Sequence, residues 1–203
     1  MFGIALFALQ LAARGHASVY PTHTYTLPST VQNGASSMQT NSRQGPLDGP
    51  KLDFINASSF DWWYFDVVSY SNKASIVLVF ESASSFARGD TTELPSPTEK
   101  INTVSISGSF PNGTLFRTET VSGDAIVTTV GDGSSGNWTG TGAGWVGTPD
   151  LSSWTVTFDA PHLGFKGEIK IKSVSTRSLL RRIDDFRENS EPMTRVEISR
   201  SLR

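Results

Sequence analysis

The chain has 203 residues, a formal net charge of −2 and 37% hydrophobic residues, which is enough apolar material for a sizeable β domain. Its 17 basic and 19 acidic residues form no basic stripe outside the C-terminal tail, so nucleic-acid binding is not indicated. The absence of cysteine excludes disulfides and thiolate zinc sites. Because His16 and His23 lie near the N-terminus, far in sequence from His162, we expect no metal site.

Residues 1–17 begin with a short apolar run that ends at Ala13, and Gly15 and Ala17 follow in the spacing of a cleavage site. This pattern is typical of a signal peptide and is too short to span a bilayer as a helix. We therefore expect entry into the secretory pathway and no stable membrane insertion. No Lys or Arg precedes the apolar run, so a cytoplasmic chain remains the alternative.

Three acceptor sequons for N-glycosylation agree with secretory entry, at Asn56, Asn112 and Asn137. Sequons also arise by chance in a chain this rich in Ser and Thr. Asn112 is the favoured acceptor, because Asn112-Gly113 predicts an exposed hairpin turn.

Residues 18–50 are rich in Ser, Thr, Gln, Asn, Gly and Pro, which predicts an extended lead-in segment with order beginning near Leu52. Residues 51–174 are predicted to form one β domain. Within them, short β-branched and aromatic runs alternate with turn residues about every ten positions, which is typical of all-β proteins. The clearest runs are residues 62–69, 75–82, 102–110, 114–121, 125–130, 153–158 and 165–172.

The run from Ile76 to Phe80 is apolar at every position, which predicts a strand covered on both faces by a second layer or an enclosed cavity. By contrast, residues 103–107 and 168–172 alternate strictly and should show one face to water. The glycine-rich stretch 140–144 lacks the Lys-Ser or Lys-Thr pair and the helix pattern of a phosphate-binding loop.

The strongest candidate for a binding site is the stretch 59–68, in which four adjacent aromatic residues stand between Asp61 and Asp66. On a strand, side chains alternate between the two faces, so each face carries large rings beside one acid. One interpretation is a core strand whose indole and phenol groups bond to backbone. The other is the wall of an apolar ligand pocket, with Trp62, Trp63, Tyr64 and Phe80 as substrate-binding residues.

Glu81 ends the wholly apolar strand. A carboxyl in this place is either a solvated strand end or a pocket acid with a raised pKa. With Asp66, it is our candidate catalytic acid.

Residues 175–203 do not continue the β pattern, and residues 173–203 hold seven Arg and five acidic residues. The stretch 178–186 has rough helical spacing. The stretch is enriched in Arg and Ser but has no pattern typical of strands or turns. This favours non-native sequence, such as an unspliced intron or a shifted reading frame.

Two motifs, Phe60-Asp-Trp-Trp-Tyr-Phe-Asp66 with the apolar run 75–80, and Asp159-Ala-Pro-His-Leu-Gly-Phe-Lys-Gly-Glu168 with its continuation to Val174, resemble fungal Diels-Alderases. These enzymes form decalin rings and are part of the carotenoid-hydratase (hydroxyneurosporene synthase-like) superfamily. The resemblance covers roughly residues 50–174. It corresponds to the N-terminal half of the family, whose members run to nearly twice this length.

The resemblance implies an antiparallel β-sandwich or lipocalin-like domain, followed in the family by a β-barrel domain that this chain is expected to lack. In the family, substrate is expected to bind between these two domains, and no cofactor is needed. The implied reaction is an intramolecular [4+2] cycloaddition of a polyene tetramic acid from a polyketide synthase–peptide synthetase pathway. Such a protein need only hold a near-attack conformer and polarise a carbonyl group. An activity that needs the second domain would be lost from this chain or assisted by another polypeptide.

Two alternatives stay open at this point. One is a lipocalin-like module that binds a hydrophobic polyene without converting it. The other is a carotenoid-type hydratase, in which Asp66 or Glu81 protonates an alkene.

Overall fold

A computed structural model describes residues 20–41, 44–160 and 164–173, which fold almost entirely into antiparallel β-sheet. The all-β sandwich predicted from the sequence is confirmed. The predicted signal peptide, the charged tail, His16 and His162 lie outside the described residues.

Ten strands and one short helix make up the described chain. In chain order they are β1 (Thr22–Leu27), β2 (Phe60–Val68), β3 (Ser75–Ala83), α1 (Ser85–Arg88), β4 (Asn102–Ser109), β5 (Leu115–Val121), β6 (Ala125–Val130), β7 (Gly133–Trp138), β8 (Ala143–Gly147), β9 (Ser153–Ala160) and β10 (Phe165–Lys172).

The strands form two sheets. Strands β2 to β5 make a four-stranded meander in sequence order, and the six-stranded sheet has the order β1-β6-β7-β8-β9-β10. Every pairing is antiparallel. The chain therefore enters the six-stranded sheet, leaves it to build the smaller sheet, and returns after β5.

Aromatic rings from both sheets fill the space between them. The ring centroids of Trp63 and Trp145 are 5.1 Å apart, and those of Phe80 and Trp145 are 4.8 Å apart. Such close ring pairs add to the free energy gained by burying the rings. Around them pack aliphatic side chains from both sheets, namely Leu27, Val67, Ile76, Leu78, Val104, Ile106, Val127, Val156 and Ile169.

Strands β7 (Gly-Ser-Ser-Gly-Asn-Trp) and β8 (Ala-Gly-Trp-Val-Gly) are rich in small residues, and no β-branched pattern predicts them. Their glycines make room for indoles: Gly136 lies directly across from Trp145, whose ring occupies the space a side chain would need. Gly147 in the same way faces the Trp154 ring, 2.9 Å from where a Cβ would stand. Glycine here serves close packing of the large rings rather than turn formation.

We expect Gly136→Ala to lower the free energy of unfolding by about 1–3 kcal/mol, because its Cβ collides with the Trp145 ring. Urea unfolding measures the loss. Ser135→Ala, at the neighbouring outward-facing position, is the matched control and should stay within about 0.5 kcal/mol. Equal stability of the two variants would contradict this packing.

Strand β1 corrects the prediction that residues 18–50 are only a lead-in and that order begins near Leu52. Residues 22–27 pair with β6 along their whole length. The strand was missed because it is an edge strand on which Leu27 alone is buried, so its sequence shows no apolar alternation. The folded unit thus begins about thirty residues before the predicted boundary at residue 51.

The segment between β1 and β2 is fastened to the sandwich at Asp48. Its Oδ2 accepts hydrogen bonds from Ser134 Oγ at 2.9 Å and from Trp154 Nε1 at 3.1 Å. Its backbone oxygen accepts from Trp63 Nε1 at 3.0 Å. Burial raises the pKa of the Asp48 carboxyl, and hydrogen bonds from Trp154 and Ser134 oppose that rise.

Because folding raises the pKa of Asp48, the folded chain holds the Asp48 proton more tightly than the unfolded chain does. The stability that this proton contributes is therefore fully present at acid pH and is lost as pH rises through the folded-state pKa of Asp48. Asp48→Asn keeps an acceptor oxygen and removes the buried charge. We therefore expect the stability of Asp48→Asn relative to the native chain to improve from pH 4 to pH 7 in urea unfolding. A difference independent of pH would contradict the buried-charge interpretation.

Candidate functional site

The candidate site lies on the outward face of the four-stranded sheet. Exposure alternates strictly along β2, so Trp62 and Tyr64 face outward while Trp63 and Phe65 face the core. The rings of Phe60, Trp62 and Tyr64 are each about half exposed. The Phe60 and Trp62 ring centroids are 5.4 Å apart, so these two rings form an aromatic edge.

Beside this edge, α1 and the neighbouring strands line a pocket of about 430 Å³ that is open to solvent. That volume falls within the range of sites for small molecules. Its wall runs from the aromatic residues of β2, over the aliphatic centre of β3, to charged groups on α1 and β5. The lining residues are Phe60, Trp62, Val79, Glu81, Ala87, Arg88, Asp90, Ser105, Arg117 and Glu119.

Glu81 is the acid of this pocket. It pairs with Trp62 across the β2–β3 ladder, and its side chain is 17% exposed. Burial raises the pKa of the Glu81 carboxyl; the Arg88 guanidinium, with Nη1 3.7 Å from Glu81 Oε2, opposes the rise, and Glu119 and Asp90 add to it. Glu81 thus lines a pocket instead of standing at a solvated strand end, and its catalytic role stays a prediction.

Trp63 and Phe80 correct the sequence prediction that they bind substrate. Both side chains are buried between the sheets, where their rings contact Trp138 and Trp145. The two interpretations of the tandem indoles therefore both apply, one to each residue: Trp63 is core and Trp62 is pocket wall.

The outward residues of β3, Val77 and Val79, are half-buried, and its inward residues are fully buried. The sequence predicts that both faces of β3 are covered. The structure covers the inward face fully and the outward face only in part. The other predicted acid, Asp66, is exposed on the outward face and pairs with Val77, four strand positions from Glu81. At about 3.3 Å per residue this puts it outside the pocket.

The basic group of the site, Arg88, was not predicted from the sequence. Arg88 ends α1, a single helical turn capped by the Ser84 hydroxyl and by Gly89 in the left-handed conformation. The capping residues Ser84 and Gly89 are a readable signal for a short helix. Nothing in the sequence places Arg88 against Glu81.

A second pocket of about 430 Å³ lies where β1 meets the β6–β7 turn, with Tyr20, His23, Gln44 and Asp132 among its lining residues. No buried acid and no run of aromatic side chains faces it among the described residues that line it. We therefore place the candidate chemistry at Glu81.

Among residues 20–41, 44–160 and 164–173, no group of three or more His, Asp or Glu side chains is placed to hold a metal ion. Over the same residues, no helix has the length and apolarity to cross a membrane.

The three sequons differ in their surroundings. Asn112 is exposed in the β4–β5 turn and Asn137 is exposed on β7, whereas the Asn56 amide donates to the Gly34 carbonyl at 3.1 Å. Glycosylation and secretory entry stay predictions.

Comparison with known proteins agrees with the fold. The model of the Diels-Alderase-like family matches residues 28–193. Two solved structures, "Crystal structure of CghA with Sch210972" and "Crystal structure of CghA", align with TM-scores of 0.58 and 0.56 at 22% and 23% identity. Each alignment covers 74% of this chain and 39% of the CghA chain.

Two curated relatives are more similar in sequence. The quinolone epoxide rearrangement protein asqO of Emericella nidulans is 34% identical over 178 residues, which is 86% of this chain and 45% of the relative. The quinolone epoxide rearrangement protein penF of Penicillium thymicola is 36% identical over 155 residues, 73% of this chain and 41% of the relative. The chain thus spans less than half the length of these relatives, and it belongs to the Diels-Alderase-like family.

Proposed function

We propose that this domain supplies one wall of a site for the cofactor-free rearrangement or cyclisation of a small secondary metabolite. Glu81 is the general acid, and Trp62 with Phe60 forms the apolar wall. The observation that carries the proposal is a carboxyl group of raised pKa that follows the apolar run of β3 and lines a pocket of ligand size.

The chemistry expected of such a site needs one proton and a held conformation. When Glu81 protonates an epoxide oxygen, the C–O bond breaks and positive charge develops on carbon. A neighbouring bond or group then migrates to that carbon, a proton is lost to the Glu81 carboxylate, and the product is an isomer of the substrate. Aromatic faces such as that of Trp62 stabilise the developing cation. In a cycloaddition, the same carboxyl group would polarise a carbonyl by a hydrogen bond.

The substrate we propose is an epoxide carried on a quinolone. Both curated relatives are named for that rearrangement, at 34% and 36% identity. A planar bicyclic ring also suits stacking on the exposed indole of Trp62. The polyene tetramic acid and decalin ring expected from the sequence are the second candidate, because family membership supports a cyclase without naming its substrate.

Binding without conversion is also a candidate function, since the described residues build a single wall with half-exposed rings. A wall of this kind can hold a flat apolar ligand. It then requires no proton transfer by Glu81.

The test is to incubate the full chain with a quinolone epoxide, and separately with a linear polyene tetramic acid, in ¹⁸O-labelled water. We expect an isomeric product from the epoxide that carries no ¹⁸O. A decalin of defined stereochemistry from the polyene alone would replace the proposed substrate by the second candidate. Incorporation of ¹⁸O would indicate a hydratase or hydrolase. Tryptophan quenching with unchanged substrate would contradict the enzymatic proposal and favour the binding module.

A further inference from the structure

The turn that carries Arg88 is fixed at both of its ends. The Ser84 hydroxyl accepts a hydrogen bond from Ala87 N at 3.0 Å, and Ser85 N donates to Glu99 Oε1 at 2.6 Å. Beyond the turn, Gly89 N donates to the Phe86 carbonyl. The backbone therefore presents Arg88 at a defined place on the pocket rim.

Two acids share the Arg88 guanidinium unequally. Its Nε donates to Asp90 Oδ2 at 2.8 Å, whereas its Nη1 is 3.7 Å from Glu81 Oε2, longer than a hydrogen bond. The Arg88 side chain is 25% exposed and that of Asp90 is 57% exposed. A ligand oxygen can therefore approach Glu81 and the terminal nitrogens of Arg88 together.

The geometry points to Arg88 as a positioning residue of the pocket: Asp90 fixes the guanidinium, and the guanidinium holds the Glu81 carboxyl toward the ligand. For its effect on catalysis, this inference rests on the proposed function. Its effect on the Glu81 carboxyl does not, because the contacts among Glu81, Arg88 and Asp90 involve this chain alone.

The charges around Glu81 make the inference measurable. Arg88 and Asp90 face it from α1 and the residues that follow α1, and Arg117 and Glu119 line the same pocket from β5. Its ladder partners on β2 and β4 are the uncharged Trp62 and Thr103. Burial is the main cause of the raised pKa of Glu81, and Arg88 is the principal group that lowers it. A change at Arg88 or Asp90 must therefore move the titration of Glu81 in a known direction.

The experiment is a ¹³C-carboxyl NMR titration of Glu81 in the full chain, with the signal assigned from Glu81→Gln. Arg88→Gln should shift the Glu81 midpoint upward, because it removes the stabilising cation. Asp90→Asn should shift it downward, because it removes a repelling charge and frees the guanidinium. Arg88→Lys keeps the charge and should return the midpoint most of the way to that of the native chain.

Arg117→Gln is the matched control. Its side chain is 77% exposed and lies 4.0 Å from Glu119 Oε2, so the Glu81 midpoint should move by much less than in Arg88→Gln. Shifts in Arg88→Gln and Asp90→Asn that are no larger than this control, or that run in the same direction, would overturn the inference. If Arg88→Gln fails to fold, the exposed Asp90 variant decides alone.

Activity separates this inference from the proposed function. If the native chain turns over the epoxide, the pH at which kcat/KM falls should move in the same direction as the NMR midpoint. If the native chain converts neither test substrate, the proposed function fails. The titration still decides whether Arg88 controls the Glu81 carboxyl.

Discussion

Replacing Trp63 by Ala is expected to lower the free energy of unfolding by about 3–5 kcal/mol, while replacing its neighbour Trp62 should cost less than about 1 kcal/mol. Trp63 is 6% exposed, its ring contacts two core indoles, and its N–H is bonded to the Asp48 carbonyl. Trp62 is 55% exposed on the opposite face. Small domains are stable by about 5–15 kcal/mol, so the Trp63 variant should be near the limit of folding.

Urea unfolding followed by far-UV circular dichroism measures both changes. Trp63→Phe is a useful third variant, because it restores most of the ring volume and should recover part of the loss. Similar losses in Trp62→Ala and Trp63→Ala would show that both indoles are packed in the core. That result would remove the aromatic wall from the proposed site.

Replacing Glu81 by Gln is expected to lower kcat/KM for the quinolone epoxide by about 10²–10⁴-fold, the usual contribution of a general acid, with the fold unchanged. Gln has the shape of the protonated acid and cannot give up a proton. Because burial raises the pKa of Glu81, the carboxyl stays protonated to a higher pH than an ordinary Glu. Activity should therefore be retained at low pH and fall as pH rises through that raised pKa.

Asp66→Asn is the control for this prediction, since Asp66 is an acid on the same face but outside the pocket. We expect it to keep the activity and the pH profile of the native chain. Loss of activity in Asp66→Asn but not in Glu81→Gln would give the acid role to Asp66. It would then move the site along β2.

Seven of the ten strands in the described part of the chain could be predicted from the sequence, with bounds within two residues of those in the structure. Their β-branched and aromatic runs indicate which residues are buried, because apolar and polar residues alternate along a strand that packs on one face. The other three strands were missed because their sequences lack that pattern. Strand β1 is a polar edge, and β7 and β8 replace bulky side chains by glycines that make room for Trp145 and Trp154.

The candidate site was predictable in part. Alternation separates Trp62 and Tyr64 from Trp63 and Phe65, but periodicity alone does not reveal which face meets the second sheet. That choice depends on packing against Trp138 and Trp145, which lie more than seventy residues later. The Glu81–Arg88 pair was also out of reach, because a four-residue helix brings the two side chains together.

We propose that ligand binds the outward face of the four-stranded sheet, and the indole signals of the five tryptophans test this directly. The N–H groups of Trp63, Trp138, Trp145 and Trp154 are hydrogen-bonded within the fold, whereas the Trp62 indole lines the pocket. In ¹H–¹⁵N spectra recorded during titration with an unsubstituted quinolone, we expect the Trp62 indole signal to move and the other four to stay. Movement of the Trp138 or Trp145 signal with Trp62 unchanged would place the ligand between the sheets and contradict binding at the outward face.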